Sequence, residues 1–202
     1  PETAKYFLFD EGTKPARVLD ASPFIDPKTG DRYLYFALRN IAAETVDPDG
    51  FGAQRQQNVF VVKMLDNDWS QIDYSSLTKI TRGLVNFICE DAVADYVEQA
   101  KAFNPSKHPL GQRELNLDSL QMSWNDAETY MNEFTCNEGP FVYYNEDTGL
   151  YYMTISVAGY TDSSYSLVQL TAYRPTGPWR KLDLDEGAVV LSTDVGRAMD
   201  NV

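Results

Sequence analysis

The chain has 202 residues, of which 43% are apolar and 13% aromatic, enough to build the packed core of one ordinary domain. Its 30 acidic residues outnumber its 17 basic ones and give a formal charge of −13, so we expect no nucleic-acid partner, because unmatched carboxylates repel phosphate. No apolar run is long enough to cross a bilayer and the N-terminus has no signal-peptide pattern, so we expect no membrane partner.

The first predicted element is a β-hairpin in DASPFIDPKTGDRYLYFAL, which runs from Asp20 to Leu38. A similar segment, EGPFVYYNEDTGLYYMTIS, runs from Glu138 to Ser156. Each segment begins with a carboxylate, continues through Pro-Phe and a β-branched residue, turns at Thr-Gly and returns through an aromatic strand. Glycine supplies the positive φ that such turns need, and the flanks are rich in strand formers. The repeat therefore predicts two equivalent hairpins.

A third strand is predicted in both units, at NVFVVKML and at YSLVQLTAY, and a tryptophan follows each. We expect a fourth strand around Leu77 to Thr81 in the first unit and around Ala188 to Ser192 in the second. Units of about four antiparallel strands that follow one another are typical of β-propeller blades. The predicted fold class is therefore all-β.

The stretch between the two units, residues 84–135, does not have a strand pattern. In FICEDAVADYVEQAKAFNP, the apolar residues Ile88, Val93 and Val97 fall near helical spacing, and Pro105 ends the pattern. We interpret this stretch as a mainly helical and loop insertion between blades, which either forms a wall beside a pocket or caps a sheet.

The cysteines and the single histidine indicate no further chemistry. Cys89 and Cys136 have neither a CxxC spacing nor a histidine partner that would indicate a zinc site. They are interpreted as buried thiols, and a disulfide between them is left open. The one histidine, His108, lies between prolines, which indicates a surface loop and disfavours a Ser/His/Asp mechanism.

Asp20 and Glu138 are the candidate functional residues. The first strand of each propeller blade lines the central channel, so acids at corresponding positions of two blades are predicted to share it. A glutamate above aromatic walls is partly desolvated, which favours its protonated form, as a general acid requires. Repulsion from Asp20 acts in the same direction, so Asp20 is interpreted as the tuner of Glu138. The alternative is that each acid caps a turn.

These segments resemble glycoside hydrolase family 43, whose members are five-bladed β-propellers that act on arabinose- and xylose-containing polysaccharides. LDASPFIDPKTGDRYLYF resembles the segment with the aspartate that modulates the pKa of the acid, which falls on Asp20. NEGPFVYYNEDTGLYYMTIS resembles the Glu-Gly-Pro segment of the general acid, here Glu138. AGYTDSSYSLVQLTAYRPTGPW resembles the next strand and a Gly-Pro-Trp turn ending at Trp179. The resemblance covers most of residues 15–180.

The resemblance implies an inverting glycosidase with a carbohydrate substrate and no required cofactor. It is compatible with a structural calcium ion but indicates no ligands for one. Aromatic residues near the inner strands, among them Phe24, Phe141 and Tyr160, are candidates to stack on a sugar face, and Phe24 and Tyr160 are the ones expected to do so. A polysaccharide substrate favours a secreted or periplasmic location.

The resemblance also implies that part of the propeller lies outside these residues. No segment here matches the aspartate that acts as general base in the first blade. The 202 residues are expected to form about three of five blades of one catalytic domain. The first and last blades would come from the rest of the protein or from an accompanying chain.

Three alternatives remain open from the sequence. The first is a carbohydrate-binding propeller that cleaves nothing. The second is another propeller enzyme, such as a fructan-active enzyme of family 32 or 68 or a family 130 phosphorylase. The third is a scaffold in which the acids merely cap turns. The sugar, the linkage and the choice between endo and exo action depend on loops whose shape the sequence does not predict.

Overall fold

The computed structural model of the chain describes residues 17–39, 57–67, 69–82, 88, 90–103, 136–158, 165–182 and 187–192. These residues form two antiparallel β-sheets and one helix. The first sheet has the strand order β1-β2-β3-β4, with β1 at Arg17–Ile25, β2 at Arg32–Arg39, β3 at Gln57–Met64 and β4 at Ile72–Lys79. The second has the order β5-β6-β7-β8, with β5 at Asn137–Asn145, β6 at Leu150–Val157, β7 at Ser166–Ala172 and β8 at Arg180–Lys181, while β9 at Val189–Ser192 also pairs with β7. The predicted all-β fold class is confirmed.

Each sheet opens with its predicted hairpin, and the two turns have the same geometry. The N–H of Gly30 donates to the carbonyl of Asp26 at 2.8 Å, and the N–H of Gly149 donates to the carbonyl of Asn145 at 2.7 Å. Both glycines have a positive φ, 76° and 72°, which a residue with a side chain rarely adopts. The Thr-Gly turns therefore give a residue-by-residue match between the first two strands of the sheets.

The fourth strands differ from their predicted positions. β4 begins earlier than expected, at Ile72, and only its end overlaps the segment from Leu77 to Thr81. In the second sheet two short strands, β8 and β9, pair with β7 in place of a single fourth strand, and only β9 lies in the predicted segment. The pairing of β3 with β4 also shifts, between Val61 and Lys63. Both sheets thus break their outer pairing, which an apolar pattern alone does not reveal.

The two sheets pack face to face around one shared hydrophobic core, as successive propeller blades do. Tyr35 crosses this interface, since its hydroxyl donates to the carbonyl of Pro175 at 2.6 Å. Trp179 Nε1 donates to the same carbonyl at 3.0 Å. The inner strands β1 and β5 lie against one another. The buried residues of this core include Phe24, Tyr33, Tyr35, Val59, Val61, Val142, Tyr151, Met153, Ile155, Leu170 and Trp179.

Helix α1, at Glu90–Ala102, occupies part of the predicted insertion and covers the other face of the second sheet. Its buried residue Tyr96 has its hydroxyl 3.1 Å from Thr171 Oγ1, within hydrogen-bond distance. Residues 84–87 and 104–135 of the predicted insertion, with Pro105 and His108, lie outside the described residues, and so does Cys89. Among the described helical residues, no segment is long and apolar enough to cross a membrane.

Candidate active site

A β-bulge interrupts the inner strand of each sheet. The pairing of β1 with β2 shifts between Leu19 and Ser22, and that of β5 with β6 shifts between Glu138 and Phe141. A residue with positive φ lies in each bulge, Asp20 at 55° and Gly139 at 60°. Glycine adopts this conformation without steric cost, and aspartate tolerates it better than most other residues do. The bulges therefore bend both inner strands in the same way.

The structure corrects the alignment of the two acids. With the Thr-Gly turns matched, Asp20 corresponds to Gly139, and Leu19 corresponds to Glu138. The prediction that Asp20 and Glu138 occupy corresponding positions is therefore wrong by one residue. The two acids are nevertheless neighbours, because Asp20 Oδ2 accepts a hydrogen bond from the N–H of Gly139 at 3.0 Å. Asp20 itself is exposed.

The carboxyl group of Glu138 is half-buried and is held on both of its oxygens. Gln57 Nε2 donates to Oε2 at 2.8 Å, and the Tyr165 hydroxyl donates to Oε1 at 3.2 Å. Cys136 Sγ lies 3.4 Å from Oε2 as a further, weaker donor. Cys136 is buried, as expected for a thiol at this position. The side chain of Glu138 is thus fixed by residues from both sheets.

Gln57 and Tyr165, which sequence reasoning missed, occupy corresponding positions. Asn58 pairs with Leu38 in the first sheet, and Ser166 pairs with Val157, the residue that corresponds to Leu38, in the second sheet. Gln57 comes immediately before Asn58, and Tyr165 comes immediately before Ser166. A signal existed in the repeat, because Tyr165 is the first residue of one predicted third strand and Gln57 directly precedes the other. Their polar character at the ends of apolar strands could have marked them.

A buried polar network lies behind Glu138. The preceding residue, Asn137, is fully buried, and its Oδ1 accepts a hydrogen bond from Lys181 Nζ at 2.7 Å. Asn137 Nδ2 donates to Asn58 Oδ1 at 3.3 Å and to the carbonyl of Gln57 at 3.4 Å. Complete burial lowers the pKa of Lys181 to about 7. The network ties the head of β5 to the head of β3.

Phe24, expected to stack on a sugar, lies in the shared core instead. It is only 9% exposed, and its ring meets those of Tyr35 and Tyr151 edge to face, with centroids 6.3 Å and 6.1 Å away. A ring covered in this way offers no free face, so we assign Phe24 to packing. Tyr160, the other candidate, lies outside the described residues. The exposed aromatic residues on β5 are Phe141, at 61%, and Tyr143, at 37%.

The described residues do not fit a metal ion. No group of three or more His, Cys, Asp or Glu side chains comes together in the part of the chain that the structure describes. The calcium ion that the family resemblance allows therefore has no ligand set in these residues.

No protein-family model matches the chain, and no curated protein matches it in sequence. Solved structures similar to it include a thermostable family 43 glycoside hydrolase, 20% identical over 92% of this chain with a TM-score of 0.45. An endo-1,4-β-xylanase from Bacteroides thetaiotaomicron is 20% identical over 90% of this chain, with a TM-score of 0.45. An inulosucrase from Halalkalicoccus jeotgali, bound to kestose, is 17% identical over 89% of it, with a TM-score of 0.47.

The chain spans less than half of each of these proteins, 47%, 45% and 33% of their lengths in the same order. Family 43 glycoside hydrolases are thus among the solved structures that this chain is similar to. At these identities and TM-scores the likeness does not assign the chain to a family.

Proposed function

We propose that this chain is part of an inverting β-propeller glycosidase of the family 43 type, in which Glu138 is the general acid and Asp20 is its modulator. The substrates proposed are polysaccharides or oligosaccharides that contain arabinose or xylose. The observation that carries the proposal is the half-buried carboxyl group of Glu138, which donors from both sheets hold in one orientation. A general acid must be held in this way to reach the departing oxygen.

In the proposed reaction, the C–O bond between the anomeric carbon and the departing oxygen breaks. Glu138 gives its proton to that oxygen as the bond breaks. A water attacks the opposite face of the sugar and gives its proton to a general base. Inverting enzymes hold the two carboxyl groups roughly 6.5 to 9.5 Å apart, which leaves room for this water. The base and the remaining blades are proposed to come from polypeptide outside these 202 residues.

Asp20 is the proposed modulator because its carboxylate is anchored next to the acid. The hydrogen bond from the N–H of Gly139 fixes Asp20 Oδ2 beside the residue that follows Glu138. This anchor also supports a purely structural interpretation, in which Asp20 only stabilises the bulge. The substitution Asp20→Asn removes the charge and keeps a hydrogen-bond acceptor, so it is expected to lower activity if Asp20 is a modulator and to leave activity unchanged if Asp20 is only structural.

The hydrolysis of nitrophenyl arabinosides and xylosides, and of arabinan and xylan, tests the proposal in the protein that contains the complete propeller. We expect wild-type hydrolysis with inversion, detected as the first-formed anomer by proton NMR, and, in Glu138→Gln at an unchanged melting temperature, a large loss on arabinan and xylan, whose sugar leaving groups need the proton. The matched control is Glu98→Gln, which alters an exposed glutamate of α1 that pairs with Lys101. Retention of configuration, or full activity of Glu138→Gln on arabinan and xylan, would contradict the proposal.

A non-catalytic carbohydrate-binding propeller is the second candidate. It is favoured by the donors on both oxygens of Glu138, since a carboxylate that only accepts hydrogen bonds fits the same contacts. In that case the wild type binds arabino- or xylo-oligosaccharides, as measured by calorimetry, but releases no product.

A further inference from the structure

The hydrogen bonds to the two oxygens of Glu138 differ in chemistry, although the donors Gln57 and Tyr165 occupy corresponding positions. Oε2 accepts from the side-chain amide of Gln57 at 2.8 Å and, more weakly, from Cys136 Sγ at 3.4 Å, and Oε1 accepts from the hydroxyl of Tyr165 at 3.2 Å. An amide nitrogen can only donate a hydrogen bond, whereas a hydroxyl can either donate or accept one. The two oxygens of the carboxyl group are therefore not equivalent.

This difference determines which oxygen can hold a proton with a partner. A proton on Oε2 would meet the N–H of Gln57, and two hydrogens would face each other. A proton on Oε1 meets the Tyr165 hydroxyl, which can rotate and accept it. When a substrate binds, the same O–H can turn to the departing oxygen without breaking the bond at Oε2.

We propose that Gln57 and Tyr165 assign the transferable proton of Glu138 to Oε1, Gln57 by occupying Oε2 and Tyr165 by accepting the proton until the substrate does. The inference rests on the proposed glycosidase function and deepens it. Both act as positioning residues, through their contacts with the acid. Gln57 thus comes from the first unit of the repeat, and Tyr165 comes from the second unit, to which Glu138 itself belongs.

The backbone of Gln57 is suited to this role because it is anchored independently of its side chain. Gln57 is 4% exposed and forms a parallel bridge with Cys136, two residues before the acid. Its carbonyl accepts a hydrogen bond from Asn137 Nδ2 at 3.4 Å, and Lys181 holds Asn137 from the other side. Changing the side-chain amide therefore alters the contact with Oε2 and leaves these backbone contacts in place.

The test compares two substrates of the same sugar, one with a sugar leaving group and one with a dinitrophenyl leaving group, which departs without a proton. Gln57→Met keeps the length of the side chain and removes the donor, and Tyr165→Phe removes only the hydroxyl. Each variant is expected to lose about 10- to 100-fold in kcat on the first substrate and less than about threefold on the second, with KM unchanged. A merely structural role would lower kcat on both substrates equally, and that result would overturn the inference.

The matched control is Gln169→Met, which removes a half-buried side-chain amide of the second sheet that donates to the Tyr143 hydroxyl. We expect kcat on both substrates to stay at the wild-type value in this variant. A loss in Gln169→Met that depends on the leaving group would show that the readout is not specific for the acid, and would overturn the inference too.

A second variant covers the case in which Gln57→Met does not fold. Gln57→Glu is nearly isosteric and places a carboxyl group against Oε2, so the two groups share a proton. The basic limb of the pH profile of kcat/KM is expected to move to higher pH, while Asp20, Cys136 and Tyr165 are unchanged. An unmoved limb would overturn the inference. Absence of hydrolysis by the wild type would overturn the proposed function, and the inference with it.

Discussion

The carboxylate of Asp20 accepts a hydrogen bond, at 3.0 Å, from the backbone N–H of Gly139, and the two residues occupy corresponding positions in the two sheets. Each lies in the bulge of its inner strand with a positive φ. The bulge of one blade therefore binds the bulge of the next. Glu138 comes directly before this contact, so the same hydrogen bond that joins the blades fixes the backbone of the proposed acid.

Substitutions of Asp20 separate its charge from its hydrogen bond. Asp20→Asn keeps an acceptor and tolerates the positive φ, so we expect the free energy of unfolding to change by less than about 0.5 kcal/mol. Asp20→Ala loses both properties and is expected to cost about 1 to 2 kcal/mol. If Asp20 modulates the acid, both variants lose kcat, by about 100-fold. Normal turnover in Asp20→Asn would leave Asp20 a structural role only.

Gly139→Ala and Gly30→Ala form a matched pair. Both glycines have a positive φ, and an added Cβ meets only Ser156 Oγ, at 3.7 Å, in the first and nothing within 4 Å in the second. Backbone strain alone is expected to cost each variant about 1 to 2 kcal/mol in urea unfolding. Only Gly139→Ala displaces Glu138, so only this variant is expected to lose activity. An equal loss in Gly30→Ala would mean that activity follows stability rather than the bulge.

Tyr151→Phe tests a buried carboxylate in the core. Asp26 is 2% exposed, and its Oδ1 accepts a hydrogen bond from the Tyr151 hydroxyl at 2.8 Å. Removing this donor is expected to lower the free energy of unfolding by about 1 to 3 kcal/mol, because the carboxylate stays buried with fewer donors. Tyr144→Phe, at the neighbouring half-buried ring, is the control and is expected to change it by less than about 0.5 kcal/mol. Equal effects would show that the Tyr151 hydroxyl contributes no specific stabilisation.

The buried amine of Lys181 is expected to make the free energy of unfolding depend on pH. Burial lowers its pKa to about 7 in the folded chain, against an ordinary value of 10.5. Between these values the unfolded chain binds more protons, so the contribution of Lys181 to stability rises with pH, by at most roughly 1.4 kcal/mol per unit. Below about pH 7 both states are protonated and this slope vanishes.

Denaturant unfolding at several pH values compares the wild type with Lys181→Met, which removes the buried amine. The free energy of unfolding of the wild type relative to that of Lys181→Met is expected to rise as the pH increases from about 7 to 10.5. Lys101→Met removes an exposed lysine of α1 and should follow the wild type. A pH-independent difference between Lys181→Met and the wild type would refute the predicted linkage.

The sequence predicted the repeat well because its strongest signals are local. The Thr-Gly turns need positive φ at Gly30 and Gly149, and the aromatic strands after them need burial, so both are readable from neighbouring residues. The register was wrong because the Pro-Phe pairs suggested a false match. Pro140 lies inside its bulge, whereas Pro23 follows the bulge of the first strand. A bulge inserts one extra residue into one strand and shifts the alternation of inward and outward residues beyond it, which a motif match does not reveal.

The site was predicted in part for a related reason. Asp20 and Glu138 were recognised because each heads a motif, whereas the donors that hold Glu138 come from strands distant in sequence. Gln57 and Glu138 are 81 residues apart, and only the packing of the two sheets brings them together. Phe24 was misassigned because an aromatic residue beside a bulge faces the core or the channel according to a register that the sequence did not define.

The central claim is that Glu138 gives its proton to the departing oxygen. The measurement that tests it most directly is kcat/KM of the wild type and Glu138→Gln on two glycosides of one sugar, with a sugar and with a dinitrophenyl leaving group. We predict a loss of about 10²- to 10⁴-fold on the first glycoside and a loss of less than about tenfold on the second. Equal losses on both glycosides, or no loss on either, would contradict the claim.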